Sequence, residues 1–324
     1  MQTLFRDSLA ESDFLYNPQG GANYCHSATI LETTSGDLLS VWYAYPEKEN
    51  VDASLVLSRR PKKATTWDKS KILLDRSAYS LGNPVLCQAP DGAILLFYVA
   101  LRSTWWNSAA LNMIVSRDHG HSWSHPVSMG SWQGMMIRHA PVCLPDSDLL
   151  LPAYDESKNQ TVLLRATAPY QQWRECYRFD ELGLIQPVII TDPRGNLDIY
   201  FRAAGDHHHV WRSTSKDTGS TWAPPMQTDL INPLSGIAAV MAHGTLALVH
   251  NPVENQRTPL AISLSSNSGQ SWRSTHVLDS AQFEVSYPAF ILGRDAMIRG
   301  VYTFNRRMIK YIAFPASLLR HGSD

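Results

Sequence analysis

The sequence predicts an all-β fold, a six-bladed β-propeller of four-stranded antiparallel blades. Three observations lead to this expectation. An eight-residue turn motif recurs, a strand-start phrase returns six times, and no long stretch shows convincing helical periodicity. The two repeats stay in phase along the 324 residues, which is much harder to obtain by chance than one repeat alone.

The turn motif has the pattern S-x-[DN]-x-G-x-x-W. It occurs clearly as Ser116–Trp123, Ser215–Trp222 and Ser265–Trp272. Two degenerate copies, Ser58–Trp67 and Arg165–Trp173, fit the gaps. The pattern indicates a hairpin turn in which the Asp or Asn side chain accepts backbone N–H bonds and the glycine takes a positive φ. We expect each tryptophan to pack back between blades.

A second series marks the first strand of each repeat. Its six starts lie 47 to 57 residues apart, at His26, Asn83, His139, Gln186, Gly236 and Tyr287. After most of these strands a turn leads to a second apolar run, as Ser35–Asp37 does before Leu38–Tyr45. A period near 50 with four short strands per unit is typical of a propeller blade, so six starts predict six blades.

The last repeat has only three evident strands, Tyr287–Ile291, Ala296–Phe304 and Met308–Phe314. An open sheet edge would be free to pair with other chains. We therefore expect the N-terminus, near Thr3–Leu9, to supply the missing strand and close the ring. The whole chain, residues 1–324, is then expected to be a single domain.

Composition limits the function classes. The net charge of −1 removes any strong electrostatic case for nucleic acid or an anionic membrane as partner. No apolar run could span a bilayer, and the first residues lack the apolar core of a secretory signal, so we expect a cytoplasmic protein. The four cysteines, Cys25, Cys87, Cys143 and Cys176, have no CxxC spacing and are expected to be buried thiols.

The repeated turns and several longer phrases resemble the sialidase-like proteins with bacterial neuraminidase repeats, or Asp boxes. The phrases CHSATI, GNPVL, LIQPVI, NPLSGIAA, EVSYPAF and TFNRRMIKY are similar to the branch of predicted neuraminidases. The resemblance covers nearly the whole chain and implies a glycan-directed site at the centre of one face. The Asp boxes are specific evidence for the fold but weak evidence for activity, because they sit on the outer rim.

The resemblance also implies roles for single residues. Sialidases clamp the substrate carboxylate with three arginines, but the phrase that should hold the first reads Cys25-His26-Ser27 here. An imidazole thus replaces a bidentate guanidinium, which argues against ordinary sialic acid binding. The nucleophilic tyrosine of the family corresponds to Tyr287, with Glu284 near enough to tune it. The family's acid/base falls in the long loop of blade one, where either Glu47 or Asp52 could serve.

Propeller topology predicts that distant residues converge, because the innermost strand of each blade runs beside the axis. The residues expected to rim the channel at these strand starts are all polar: His26, Asn83, His139, Gln186, Ser235 and Tyr287. A second ring is expected from the following strands and loops: Arg138, Arg202, Arg212, Asn232, His250, Asn251, Tyr302 and Arg306. Histidine, carboxylate, tyrosine and arginine near one point form a workable set for cleaving a sugar linkage.

Three functions remain open at this point. The first is a glycoside hydrolase for an anionic sugar, in which Glu47 or Asp52 protonates the leaving oxygen. Tyr287, together with Glu284, then acts as the nucleophile or stabilises the oxocarbenium ion. The second is a polysaccharide lyase for uronic acids, in which His26 or Tyr287 removes the C5 proton. The third is a glycan-binding propeller without chemistry. The sequence fixes neither the sugar nor the linkage, neither terminal nor internal cleavage, and no oligomeric state.

Two further features bear on ligands. The run Asp206–His209 resembles a metal-binding tract, but adjacent strand residues point to opposite faces and cannot easily share one ion. We expect this run to be a blade loop and expect no metal or cofactor. Trp105, Trp106 and Trp132 could stack on sugar rings or pack between blades, and we expect one of them to face the cleft.

Overall fold

The computed structural model describes residues 10–16, 23–75, 78–181, 183–205 and 207–320. In these ranges the chain forms 25 strands in six antiparallel sheets, arranged as a six-bladed propeller. The predicted fold class is therefore confirmed. None of the helices in this part of the chain has the length and apolar character that a membrane crossing requires.

Strand β1 (Glu11–Tyr16) comes first in the chain but belongs to the last blade. Blade I is β2 (Tyr24–Glu32), β3 (Leu38–Tyr45), β4 (Ser54–Arg60) and β5 (Lys71–Leu74). Blade II is β6 (Ser80–Gln88), β7 (Ile94–Leu101), β8 (Ala109–Ser116) and β9 (Val127–Gln133). Blade III is β10 (Met135–Ile137) and β11 (Val142–Cys143), which both pair with β12 (Leu149–Asp155), then β13 (Gln160–Ala166) and β14 (Arg174–Arg178).

Blade IV is β15 (Leu184–Thr191), β16 (Leu197–Ala203), β17 (His209–Ser215) and β18 (Met226–Ile231). Blade V is β19 (Ala238–Ala242), β20 (Thr245–His250), β21 (Leu260–Ser265) and β22 (Ser274–Asp279). Blade VI is β23 (Val285–Leu292), β24 (Met297–Phe304), β25 (Met308–Pro315) and β1. Two short 3₁₀ helices, Trp106–Ser108 and Ala316–Arg320, lie outside the sheets.

The N-terminal segment closes the ring, as predicted. Strand β1 pairs antiparallel with β25 and completes the fourth position of blade VI. The inner strands β2 and β23 contact each other, so the first and last blades are neighbours. The closing strand is Glu11–Tyr16, while the predicted position near Thr3–Leu9 lies outside the described residues. Closure covers the edge that the three-stranded last repeat would otherwise leave open.

The hydrophobic core lies between adjacent blades. All eight residues of β3 are buried, because each face of this strand packs against neighbouring structure. One cluster joins blades II and III through Phe97, Leu151 and Trp173. The same arrangement recurs around the ring and ties each blade to the next. Every blade is therefore held from both sides, which fixes the inner strands relative to one another.

The Asp-box turns have the predicted geometry. In the first copy Asp118 Oδ1 accepts hydrogen bonds from Ser116 Oγ at 2.7 Å and from the Ser122 amide at 2.9 Å. The φ of Gly120 is +84°, as expected for the turn glycine. Trp222 of blade IV packs on Phe179 of blade III, with ring centroids 5.7 Å apart. The tryptophan does pack between blades.

The expectation of four buried thiols is half wrong. All four cysteines are free, and Cys25 and Cys87 are buried on inner strands. Cys143 and Cys176 are exposed. Cys143 lies on the two-residue strand β11 and Cys176 on the outermost strand β14, whose residues are largely open to solvent.

Candidate functional site

A polar cavity of about 210 Å³ lies at the centre of the ring. Each blade contributes a polar or charged side chain to its wall: Glu49, Asn83, Glu156, Arg202, Arg257 and Tyr287, in blade order. His26, Gln186 and Arg306 also line it, beside the aromatic side chains of Tyr43, Tyr154 and Trp106. The predicted convergence of residues near 26 with residues near 287 is therefore present.

A β-bulge in the inner strand places several of these side chains. In blades I, II, IV and VI the pairing of the first strand with the second skips two residues, which marks a β-bulge. The first skipped residue has a positive φ in each case: Ser27 at 55°, Asn83 at 45°, Gln186 at 48° and Tyr287 at 54°. Three of the four precede a proline, which cannot donate to the sheet. The bulge costs backbone energy and frees the side chain from the sheet register.

The oxygen of Tyr287 is the most strongly organised atom in the cavity. Arg202 Nη1 donates a hydrogen bond to it at 2.8 Å, and Gln186 Nε2 donates another at 3.3 Å. Burial alone would raise the pKa of this hydroxyl, but Arg202, Arg257 and Arg306 and the bond from Gln186 lower it, and the net pKa lies below its ordinary value. Donors to the oxygen stabilise the phenolate form.

His26 packs directly on Tyr287, with ring centroids 4.1 Å apart. Its Nδ1 lies 2.9 Å from Thr303 Oγ1, and its Nε2 has no partner in the described part of the chain and is covered by protein atoms. Burial lowers the pKa of the imidazole well below its usual range, and the nearby arginines add to that shift. His26 is therefore a neutral ring at physiological pH.

Two carboxylates neutralise two of the arginines. Glu284 pairs with Arg306 Nε at 2.9 Å and with Arg257 Nη1 at 3.2 Å. Glu49 pairs with Arg306 Nη1 at 2.9 Å through one oxygen and accepts a hydrogen bond from Tyr43 through the other. Arg202 differs, because none of the described carboxylates lies within ion-pair distance of it. It is the cation in the cavity wall that is open to a ligand anion.

The loop of blade I brings a different acid to the cavity from the two that the sequence predicted. Glu47 and Asp52 do not line the cavity, whereas Glu49 between them does. Asp52 Oδ1 accepts a hydrogen bond from the Lys48 amide at 3.1 Å. Of the other predicted catalytic residues, His26 and Tyr287 line the cavity, and Glu284 lies behind it on Arg257 and Arg306.

Arg138 and His139 do not reach this cavity. The Arg138 guanidinium is fully buried and donates to the carbonyls of Tyr287 at 2.6 Å, Pro288 at 2.9 Å and Ala28 at 3.3 Å. These hydrogen bonds hold the backbone of the Tyr287 bulge in place. Both residues line a second cavity of about 170 Å³ among the inner strands.

The remaining predicted binding residues make internal contacts. Ser235 and Asn232 both hydrogen bond with Asn251, which also donates to the Val285 carbonyl. Of the other three, His250 hydrogen bonds with Ser263 Oγ, Tyr302 hydrogen bonds with Asp279, and Arg212 forms an ion pair with Asp198 at 3.7 Å. None of these six residues lines the cavity in the described part of the chain, whereas Asn83, Gln186, Arg202 and Arg306 do.

Sequence reasoning missed Glu49, Glu156 and Arg257, which are all in the cavity wall. All three lie in the connection between the second and third strands of their blade, β3 to β4, β12 to β13 and β20 to β21. Arg306 lies in the same connection of blade VI, between β24 and β25. Charged residues at this repeated position were the signal that could have found them.

Trp106 is the tryptophan that faces the cavity, and its ring lies 6.4 Å from that of Tyr43. Trp105 is exposed, and Trp132 packs against the core between blades II and III. Within the described ranges, His, Cys, Asp and Glu side chains form no group of three or more that could hold a metal ion. Of the histidine run, His207 and His208 lie in the loop before β17. His209 is the first residue of that strand, so the expectation of a loop is wrong for it, and Asp206 lies outside the described residues.

A family model described as BNR repeat-like domain matches residues 36–299. No sequence among the curated proteins matches the chain significantly. Among solved structures, the NanB sialidase from Streptococcus pneumoniae aligns with a TM-score of 0.80 at 11% identity, over 94% of this chain and 70% of the other. The leech intramolecular trans-sialidase complexed with 2,7-anhydro-Neu5Ac aligns with a TM-score of 0.78 at 13% identity, over 95% and 71%.

A protein of unknown function from Dyadobacter fermentans aligns with a TM-score of 0.81 at 15% identity, over 95% of this chain and 98% of that one. At such identities the likeness shows a shared fold. It does not carry an activity or a substrate from one protein to another.

Proposed function

This chain belongs to the family of BNR repeat-like domains, and on that premise we propose that its central cavity cleaves the glycosidic bond of an anionic sugar. The observation that carries the proposal is the environment of Tyr287. Its buried oxygen receives hydrogen bonds from Arg202 and Gln186, and its pKa is lowered by the arginines around it despite its burial. A tyrosine that is only packing has no need of such activation.

Arg202 supports an anionic substrate. Arg257 and Arg306 are neutralised by Glu284 and Glu49, while Arg202 donates to Tyr287 and pairs with none of the described carboxylates. A ligand carboxylate beside Tyr287 would gain a charge-assisted bond from this guanidinium. The cavity of about 210 Å³ is smaller than the usual pocket for a drug-sized molecule, which supports removal of single terminal sugars.

The reaction follows from these contacts. The Tyr287 oxygen attacks the anomeric carbon while a carboxyl group protonates the leaving oxygen, and water then releases the sugar from the tyrosine. Arg202 and Gln186 stabilise the phenolate before the attack and again when it leaves. Such a tyrosine nucleophile is a known exception to the scheme of two carboxylates.

The contact between His26 and Tyr287 favours a second candidate, a lyase that removes the C5 proton of a uronic acid. A neutral imidazole is the correct form for a base. However, Nε2 of His26 is covered by protein atoms, so it cannot take a proton from a ligand in the cavity unless the ring turns. We therefore favour the hydrolase over the lyase.

Incubation with oligosaccharides that carry uronic or sialic acids, read by mass spectrometry and ultraviolet absorbance, tests the proposal. A hydrolase releases a sugar with a new reducing end, and a lyase releases an unsaturated uronate that absorbs in the ultraviolet. We expect Tyr287→Phe to lower turnover at least ~10²-fold with an unchanged melting temperature. Tyr79→Phe removes a hydroxyl from a half-exposed tyrosine outside the cavity and is the matched control.

Each other outcome decides between the alternatives. Normal turnover by Tyr287→Phe would contradict the proposed nucleophile. An ultraviolet-absorbing product that disappears in His26→Ala would establish the lyase instead. A wild-type protein that releases nothing, yet melts at a higher temperature with a glycan present, would be a binding module.

A further inference from the structure

We propose that Glu156 is the proton donor of this reaction, an acid that faces the cavity from the blade opposite Tyr287. The inference rests on the proposed glycosidase function and deepens it. The resemblance to sialidases implied an acid on the loop of blade I, whereas Glu156 belongs to blade III.

The position of Glu156 is fixed while its carboxyl group stays free. It directly follows β12, and its amide donates to the Gly134 carbonyl at 2.8 Å. The preceding carboxylate, Asp155, is bound by Arg178 at 3.3 Å and by the amide of Ser157 at 3.0 Å. The Glu156 carboxyl makes no hydrogen bond or ion pair with any described residue, although it lines the cavity. The Asp155 carboxylate therefore makes contacts that support the fold, whereas the Glu156 carboxyl group does not.

The other carboxyl groups near the cavity are occupied. Glu49 uses one oxygen for Arg306 and the other for Tyr43. Glu284 is held by Arg257, Arg306 and Ser286. A proton donor must carry its proton and reach the leaving oxygen, and a carboxylate that already accepts bonds from a guanidinium is poorly placed for both. Glu156 alone among the described acids of the cavity wall meets these conditions.

The electrostatics of Glu156 agree with this role. Burial raises the pKa of its carboxyl group, Asp155 raises it further, and Arg202 acts in the opposite direction without cancelling the shift. The acid therefore keeps its proton to higher pH than an ordinary glutamate does.

The order of the blades agrees with this role. Blades III and VI are three positions apart in a ring of six, so the blades that carry Glu156 and Tyr287 flank the cavity from opposite sides, and both side chains line its wall. A nucleophile and a proton donor must act on different sides of the bond that breaks.

The two steps balance as follows. In the first, the Glu156 proton moves to the glycosidic oxygen, the bond from that oxygen to the anomeric carbon breaks with its electron pair going to the oxygen, and the Tyr287 phenolate oxygen bonds to the carbon. In the second, the Glu156 carboxylate takes a proton from water, the water oxygen bonds to the anomeric carbon, and Tyr287 leaves as phenolate.

Leaving-group dependence tests the assignment. The probes are 4-nitrophenyl and methyl glycosides of sialic acid and of glucuronic acid, because nitrophenolate leaves without a proton and methoxide does not. We expect Glu156→Gln to lower kcat/KM, which reports the first step alone, about 10²- to 10⁴-fold on the methyl glycoside and less than about tenfold on the nitrophenyl glycoside. A purely structural glutamate would affect both substrates equally. Glu181→Gln removes an exposed carboxylate that follows β14 in the same blade and is the control.

The outcomes separate this inference from the function on which it rests. Equal losses on both glycosides in Glu156→Gln, with Tyr287→Phe inactive, would overturn the proton donor and leave the glycosidase intact. A wild-type protein inactive on all four glycosides would overturn both. Retained nitrophenyl cleavage with a lost alkaline limb in the pH profile supports the assignment, because that limb reports deprotonation of the acid.

Discussion

The outer rim and the central axis of this propeller both contain residues with a positive φ, but these residues serve different purposes. At the rim, His119, Thr218 and Ser268 have φ between 54° and 58° within the three clear Asp boxes. At the axis, Asn83 and Tyr287 have φ of 45° and 54° within the inner-strand bulges. The rim turns are near copies of one another, whereas the bulges carry a different side chain in each of the four blades that have one.

The two regions differ in how their polar groups are paired. In each clear Asp box the Asp or Asn side chain accepts a hydroxyl and an amide within the turn. At the axis, His26 Nε2, Gln186 Oε1 and Arg202 Nε are buried without partners in the described residues. A buried polar group without a partner costs about 1–3 kcal/mol. The indole nitrogens of Trp123 and Trp272 at the rim also lack a partner in the described residues. The Asp and Asn side chains of the boxes, however, are paired and stabilise their turns, whereas the axis retains unpaired groups at the cavity itself, as expected of a functional site.

The largest effect on stability is expected at the rim. Trp222→Ala removes a buried ring that packs on Phe179 and Tyr177 of the preceding blade, so we expect unfolding free energy to fall by about 3–5 kcal/mol. Denaturant melts measure this, and turnover of the remaining folded protein at low temperature should be unchanged. The control is Trp105→Ala, an exposed ring, with a change within about 0.5 kcal/mol. If both variants melt alike, the rim does not hold the blades together.

At the axis, the expected effect is on activity. Arg202→Met removes the hydrogen bond to the Tyr287 oxygen and the cation that contributes most to lowering its pKa. We expect kcat/KM to fall by about 10- to 100-fold, the equivalent of about 1.5–3 kcal/mol for a bond to a charged group. Because the Tyr287 pKa then rises, the ascending limb of the pH–rate profile should move to higher pH. Melting temperature should change little, since Arg202 Nε is already buried without a partner.

Arg174→Met, at an exposed position of the outer strand β14, is the matched control for this pair of measurements. An Arg202→Met protein with an unmoved pH profile would show that the arginine does not tune the tyrosine. A large loss of stability would show that the axis contributes to the fold as the rim does.

This contrast explains how much the sequence could predict. The Asp boxes, the six blades and the closing strand follow from local chemistry that repeats in phase, so chain neighbours such as Ser215, Asp217 and Gly219 suffice. The strand starts also found Asn83, Gln186 and Tyr287, because an X-Pro pair marks each bulge. Each of these features is encoded by residues that lie close together in the chain.

The rest of the site was harder to predict for physical reasons. In blade III the inner position is split between β10 and β11, and in blade V strand β19 begins at Ala238, after Ser235. Neither carries the bulge that brings a side chain to the cavity, so His139 and Ser235 lie outside its wall. Glu49 and Glu156 lie on turns after second strands, where no repeated phrase marks the register.

The smallest effect is expected from exchanging the acid of an Asp box for its amide. Asp217 accepts hydrogen bonds from the Thr221 amide and hydroxyl. In the third box Asn267 accepts from the Ser271 amide and donates to the Ser271 hydroxyl, so the same two groups are joined with one bond reversed. Asp217→Asn should therefore leave the melting temperature at neutral pH unchanged. Acid should separate the two proteins. The bonds from Thr221 and Ser215 lower the pKa of Asp217 from 3.8 to about 2, so its stabilising effect is complete above pH 3.8 and is lost as pH falls through about 2. The asparagine variant should lack that part of the decline in a pH series of thermal melts. If the amide already destabilises the protein at pH 7, the charge itself holds the turn, and the three boxes are less alike than their hydrogen bonds indicate.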